Sequence, residues 1–242
     1  MQFFPSRADF HLLAISHTVV PVWTEVLADM ETPVAAYLKL VGDDPGFLLE
    51  SVENGERWSR YSFVGRNPLA TLVLRDGQIT TTGDIPDGTV LDKGMLAAME
   101  SLLKIYKAPV MKDLPPLQGG LMGFLGYDIV REVEDLPNVP RDDRKLPDAT
   151  ISVIGSLAAF DHWRQRVYLL ESVPLIKMNN VQIDAAYDAA IERIKKAAAD
   201  LTKPLSYVAV EPPQPDDYKS KFDPKKNGNS YQRAVLAAKE YI

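Results

Sequence analysis

The stretch FLLESVENGERWSRYSFVGRNP, residues 47 to 68, decides how the first third of the chain is read. It opens on an apolar run, Phe47-Leu48-Leu49, and turns abruptly polar at Glu50-Ser51. Asn54-Gly55 is a strong two-residue hairpin signal, because both residues tolerate the positive φ that such turns need. Residues 46 to 53 and 58 to 65 therefore read as two antiparallel strands. On a strand Leu49 and Ser51 face one way, and Leu48 and Glu50 the other. The turn brings the segment from Arg57 to Arg60 back alongside. A carboxylate, a hydroxyl and a guanidinium beside apolar strands suit a free amino acid: Glu50 for its ammonium, Arg60 for its carboxylate, an apolar slot for its side chain. The plainer alternative is a hairpin with a cross-strand Glu–Arg pair on its solvent side.

Working outward, Glu31 to Leu40 reads as a short helix opening at Thr32-Pro33, a cap followed by proline at the first helical position. Residues 70 to 75 and 78 to 82 form a second strand pair about Asp76-Gly77. Residues 93 to 106 keep helical period through Met95, Leu96, Met99, Leu102, Leu103 and Tyr106. GGLMGFLGYDIV, residues 119 to 130, reads as a buried strand ending near Asp128, and residues 131 to 148 as a charged, proline-punctuated loop. Residues 149 to 160 and 166 to 172 are expected as strands around the polar turn Asp161-His162-Trp163-Arg164, and 184 to 201 as a helix. The expected fold class is α+β, with antiparallel β-sheets packed face to face and flanking helices. Residues 1 to 202 form its β-sheet domain. Five prolines and clustered charges make 203 to 229 a linker. From Ser230 a helical pattern runs to Ile242 without a glycine stop or a polar tail, so 230 to 242 is expected to be the first helix of a truncated second domain.

Composition narrows the function. The 242 residues, 46% hydrophobic and 25% charged, suffice for an ordinary globular core. A net charge of −6 with interspersed signs argues against a nucleic-acid surface. No apolar run approaches the roughly 20 residues that cross a bilayer, and MQFFPSRADF is not a secretory signal, so a cytoplasmic location is expected with no membrane partner. The chain has no cysteine, which removes disulfides and thiolate chemistry. His11, His17 and His162 lack the spacing of a metal site. Gly120, Gly123 and Gly126 are spaced by three, unlike a dinucleotide fingerprint, and no lysine follows as in a phosphate-binding loop. The serines of LLES and SFVG have no histidine near them in sequence, which argues against hydrolase chemistry.

Taken together, the motifs resemble the N-terminal region of anthranilate synthase component I, a chorismate-utilising enzyme of tryptophan biosynthesis. The resemblance lies in residues 47 to 68, in GGLMGFLGYDIVREVEDLP, in PDATISVIGSLAAFDHWRQRVYLL with its Asp-His turn, and in the terminal SYQRAVLAAKEYI. It covers nearly the whole chain in order. It implies a lyase that converts chorismate and ammonia to anthranilate and pyruvate. The ammonia would come from a glutamine amidotransferase subunit, component II. It also implies that the LLES strand takes part in feedback inhibition by L-tryptophan, with Glu50, Ser51 and Arg60 as the binding residues; Arg57 is the alternative basic residue. The family's magnesium-binding carboxylates, chorismate-binding residues and acid–base groups lie beyond this chain. No catalytic residue and no metal ligand is therefore expected in it, magnesium belongs to the intact enzyme, and the chain alone is expected to be inactive. The sibling aminodeoxychorismate synthase component I is the nearest alternative. A stand-alone module that binds an amino acid or a partner is the other.

Overall fold

The computed structural model describes residues 1–27, 29–50, 60–139, 141–205, 211, 212, 214 and 228–241. Two compact units are present, Met1–Leu205 and Ser206–Ile242.

The first unit contains two antiparallel sheets. Their strands are β1 (Val19–Leu27), β2 (Gly46–Leu49), β3 (Tyr61–Arg66), β4 (Ala70–Arg75), β5 (Gln78–Gly83), β6 (Leu121–Leu125), β7 (Ala149–Val153), β8 (Ser156–Asp161) and β9 (Arg166–Pro174). The five-stranded sheet runs β1-β9-β8-β3-β2 and the four-stranded sheet β5-β4-β7-β6. The helices are α1 (Arg7–Ala14), α2 (Pro33–Leu40), α3 (Met95–Ile105) and α4 (Asn180–Leu201), with a 3-10 turn at Tyr127–Glu132. In the second unit α5 spans Gly228–Lys239. The α+β class and antiparallel sheets are as the sequence led us to expect.

Period-two alternation builds the five-stranded sheet as a middle layer. Val20, Val22, Val64, Ala158, Phe160, Val167 and Leu169 point to one face and pack with residues of α1, α2 and α4. Trp23, Leu157, Ala159, Tyr168 and Leu170 point to the other, where Phe47, Phe63 and Met122 join them. Met122 belongs to the four-stranded sheet, so the two sheets meet on this side. The four-stranded sheet buries Leu72, Leu74, Ile151 and Val153 against Met95, Ala98 and Leu102 of α3.

Residues 149 to 160 are not one strand. They are β7 and β8, in different sheets, broken at Ile154-Gly155. The chain makes the same change of sheet between β3 and β4, at Asn67-Pro68. The two corners lie side by side: a Cβ on Gly155 would stand 1.9 Å from the Asn67 carbonyl oxygen, and Leu69 N donates to Val153 O at 3.0 Å. Strands that switch sheets at such corners are a known way to join two layers.

Other differences are local. GGLMGFLGYDIV supplies only the short edge strand β6, with Phe124 and Leu125 about half exposed, and then turns into the 3-10 segment. Helix α4 begins at Asn180, earlier than the expected Asp184, because Asn179 and Gln182 form a capping box there. Helix α2 starts where expected: the Thr32 hydroxyl accepts from Ala35 N at 3.1 Å, with Pro33 just inside. Helix α1 and strand β1 were not expected. Strand β1 holds Pro21, which a sheet tolerates at its edge, and β1 is an edge strand.

Candidate functional site

Strand β2 ends at Leu49, paired with Phe63 of β3. Leu48 packs toward the helical side and Phe47 toward the other. Glu50 follows directly and is exposed. It makes no hydrogen bond or ion pair among the described residues. Ser51 and Arg57 lie outside the described residues, as does the Asn54-Gly55 turn.

Arg60 stands just before β3, and its guanidinium is committed to Asp161 rather than to Glu50. Arg60 Nε donates to Asp161 Oδ1 at 3.0 Å, and Nη2 to Oδ2 at 2.5 Å. The guanidinium carbon lies 4.7 Å from the centre of the Tyr61 ring and 5.0 Å from that of Trp163, cation–π distances on both. Asp161 is the last residue of β8 and is 1% exposed. Its Oδ1 also accepts from the backbone N–H groups of Trp163 at 3.1 Å and Arg164 at 3.2 Å, which fixes the turn into β9. Burial disfavours the Asp161 charge. The bonds from Arg60 and from the Arg164 and Trp163 backbone, with the positive charge of Arg60, outweigh it and hold the carboxyl below the usual carboxylate range. The same bond raises the pKa of Arg60, while burial and the nearby Asp161 charge raise that of the Tyr61 hydroxyl.

A cleft of about 350 Å³ opens on this cluster. Arg60, Arg164 and Lys112 line it together with Asp161, Glu25 and Asp113, and Trp23, Tyr61 and Tyr168 supply aromatic walls. Such a site can fix an ammonium and a carboxylate together. A larger cavity of about 630 Å³ lies at the other end of β2, between the sheets, and combines Phe47, Met122 and Phe124 with the hydroxyls of Thr71 and Ser152.

The serine of SFVG does meet a histidine. Ser62 Oγ lies 2.8 Å from His162 Nε2, because β3 pairs with β8 and brings together residues 100 apart. Ser62 is fully buried, and no carboxylate orients His162 among the described residues, so the pair fastens a turn and offers no accessible nucleophile. Its only sequence signal was the pairing of two strands remote in the chain. Among the described residues no group of three or more histidine or acidic side chains could hold a metal ion. No helix among those residues is long and apolar enough to cross a membrane.

The chain is 42% identical to anthranilate synthase component 1 of Mycolicibacterium smegmatis over 202 residues, covering 83% of this chain and 38% of that protein. It is 34% identical to anthranilate synthase component 1 of Arthrobacter globiformis over 240 residues, 98% of this chain and 45% of that protein. The chain belongs to the anthranilate synthase component 1 family. It spans less than half the length of these curated relatives. Anthranilate synthase component I from Streptococcus pneumoniae, a solved structure, aligns with a TM-score of 0.42 at 20% identity, covering 80% of this chain and 38% of that one. No family model matches the chain. In anthranilate synthase component 1 terms, Glu50 and Arg60 stand on the two sides of the segment 51–59, Glu50 open to solvent and Arg60 forked onto Asp161.

Proposed function

We propose that this chain is the N-terminal part of an anthranilate synthase component 1 and carries residues of its L-tryptophan feedback site. The observation that carries the reading is the identity of 34% maintained over 98% of the chain. The longer protein would act as a lyase, joining ammonia to chorismate and releasing anthranilate and pyruvate. Component II, a glutamine amidotransferase, would supply the ammonia. Magnesium and the acid–base groups would reside in the remainder, so this part alone is inactive. The assembly would work in the cytoplasm.

Glu50, Ser51 and Arg60 would hold the inhibitor. An exposed carboxylate without a partner among the described residues suits an incoming ammonium, and a guanidinium whose far N–H groups are unused among those residues suits the carboxylate. Aromatic walls beside Arg60 would favour an indole over a smaller side chain.

Calorimetric titration tests this. The chain is titrated with L-tryptophan, with L-phenylalanine as control, and the same is done with a chain extended through the remainder of the protein. Selective heat with tryptophan in either form supports the reading. Its absence in both would remove the inhibitor site from this part of the protein.

A further inference from the structure

Arg60 is held from more directions than a surface ion pair needs. Its side chain makes a side-on fork to a carboxylate that is 1% exposed. Its guanidinium lies against two rings, Tyr61 and Trp163. Its backbone carbonyl accepts from His162 N at 2.9 Å, so main chain and side chain are tied to the same turn. The Asp161 carboxylate that anchors the fork is itself fixed by the Trp163 and Arg164 backbone N–H groups. A guanidinium has five N–H donors in one plane. The fork uses the edge formed by Nε and Nη2. The end formed by Nη1 and the second hydrogen of Nη2 has no partner among the described residues.

From this geometry we infer that Asp161 is a positioning residue for Arg60, fixing its guanidinium so that the unused end is presented to a ligand carboxylate. The inference rests on the reading of Arg60 as an inhibitor-binding residue. It names what makes that residue selective. A free arginine must give up rotamer entropy when it binds, and one already locked in place gives up less. Neutralisation does not cancel the effect. Arg164 Nε also approaches Asp161 Oδ2, at 4.0 Å, so one buried carboxylate serves two guanidiniums and the trio stays net positive. The fork sets the direction from which a carboxylate ligand meets the guanidinium.

The test is inhibition by L-tryptophan of the full-length protein that contains this chain, read as the ratio of activity with and without the amino acid. Arg60→Ala should raise the half-inhibiting concentration by about tenfold or more, the loss of one charged hydrogen bond. Asp161→Asn keeps the shape but removes the charge, and should raise it several-fold. The double variant should be no worse than Arg60→Ala alone, because Asp161 acts through Arg60. Arg60→Lys keeps a charge that cannot fork, and should behave like Asp161→Asn. His162→Ala loosens the same turn without touching the fork, and should lower the melting temperature while leaving the inhibition ratio as it is. Wild-type inhibition in Asp161→Asn beside an impaired Arg60→Ala would overturn the inference and leave the reading intact. So would additive losses in the double variant, or full inhibition in Arg60→Lys. If Asp161→Asn does not fold, Arg60→Lys decides alone. Wild-type inhibition in Arg60→Ala would remove the reading and the inference together.

Discussion

The Glu132 carboxylate occupies the space into which a side chain on Gly94 would grow. A Cβ at Gly94 would stand 2.7 Å from Glu132 Cδ, and Gly94 has a φ of 90°. Helix α3 has no cap of its own there. Glu132 supplies one from the 3-10 segment, accepting from Met95 N at 2.7 Å and Leu96 N at 2.9 Å. The carboxylate also places negative charge at the positive end of the helix dipole. Glu132→Ala should therefore destabilise the chain by about 0.5–2 kcal/mol. Gly94→Ala should destabilise it as well, although alanine is the better helix former, because the left-handed φ and the collision both oppose it. Urea unfolding of both variants checks this, and a Gly94→Ala chain as stable as its parent would dismiss the cap.

The corner between the sheets leaves no room at Gly155. With the Asn67 carbonyl 1.9 Å from any added Cβ, Gly155→Ala must push the β7–β8 corner away from the β3–β4 corner. The expected loss is about 1–3 kcal/mol, typical of overpacking. Gly77→Ala offers a comparison, since nothing lies within 4 Å of its Cβ and only its φ of 73° is strained. Thermal melts should rank Gly155→Ala as the more damaging of the two.

Acid should act through the buried carboxylates. Asp161 has a folded pKa below the usual value, as does Asp200, chiefly because Lys203 bonds to it. Such groups bind protons more tightly in the unfolded chain, where aspartate titrates near about 3.9. Their stabilisation is complete above that pH and is lost as pH falls through the lower folded values. Stability measured from pH 6 downward should decline below about pH 4. Asp161→Asn should be less stable at pH 6 and should lose less on acidification. An unchanged acid slope in that variant would show that Asp161 is not among the groups responsible.

Glu50 and Ser51 can be tested without a change in fold. Glu50→Ala removes an exposed side chain that has no partner among the described residues, so the melting temperature should hold. If Glu50 takes the tryptophan ammonium, binding should weaken by about 1.5–3 kcal/mol. If Ser51 lines the proposed tryptophan slot, Ser51→Phe should fill it and relieve inhibition. Tryptophan affinities equal to the parent's in both variants would move the ligand elsewhere.

Local chemistry made much of this fold legible. Asp76-Gly77 marked a tight turn, and both residues have positive φ, 50° and 73°. Thr32-Pro33 marked the start of α2. What stayed hidden depends on contacts between remote residues. The run from Ala149 to Phe160 passes from an alternating stretch to a continuously apolar one, both of which read as strand, and only the carbonyl of Asn67 shows why a glycine is needed at position 155. Glu50 and Arg60 could be singled out from their residue types, but the partner of Arg60 lies 101 residues away, where no local pattern links the two. Ser62 and His162 escaped for the same reason.

Strand β1 pairs along its whole length with β9, from Val19 opposite Pro174 to Leu27 opposite Arg166. During synthesis the first strand made is thus among the last to find its neighbour. Its partner leaves the ribosome only after the rest of both sheets has been translated. Pairings this distant in the chain close slowly. Until then Val20, Val22 and Trp23 have no sheet to join. A nascent chain stalled before Arg166 is expected to stay sensitive to protease at β1 and to recruit chaperones, and one released past Leu201 to become resistant.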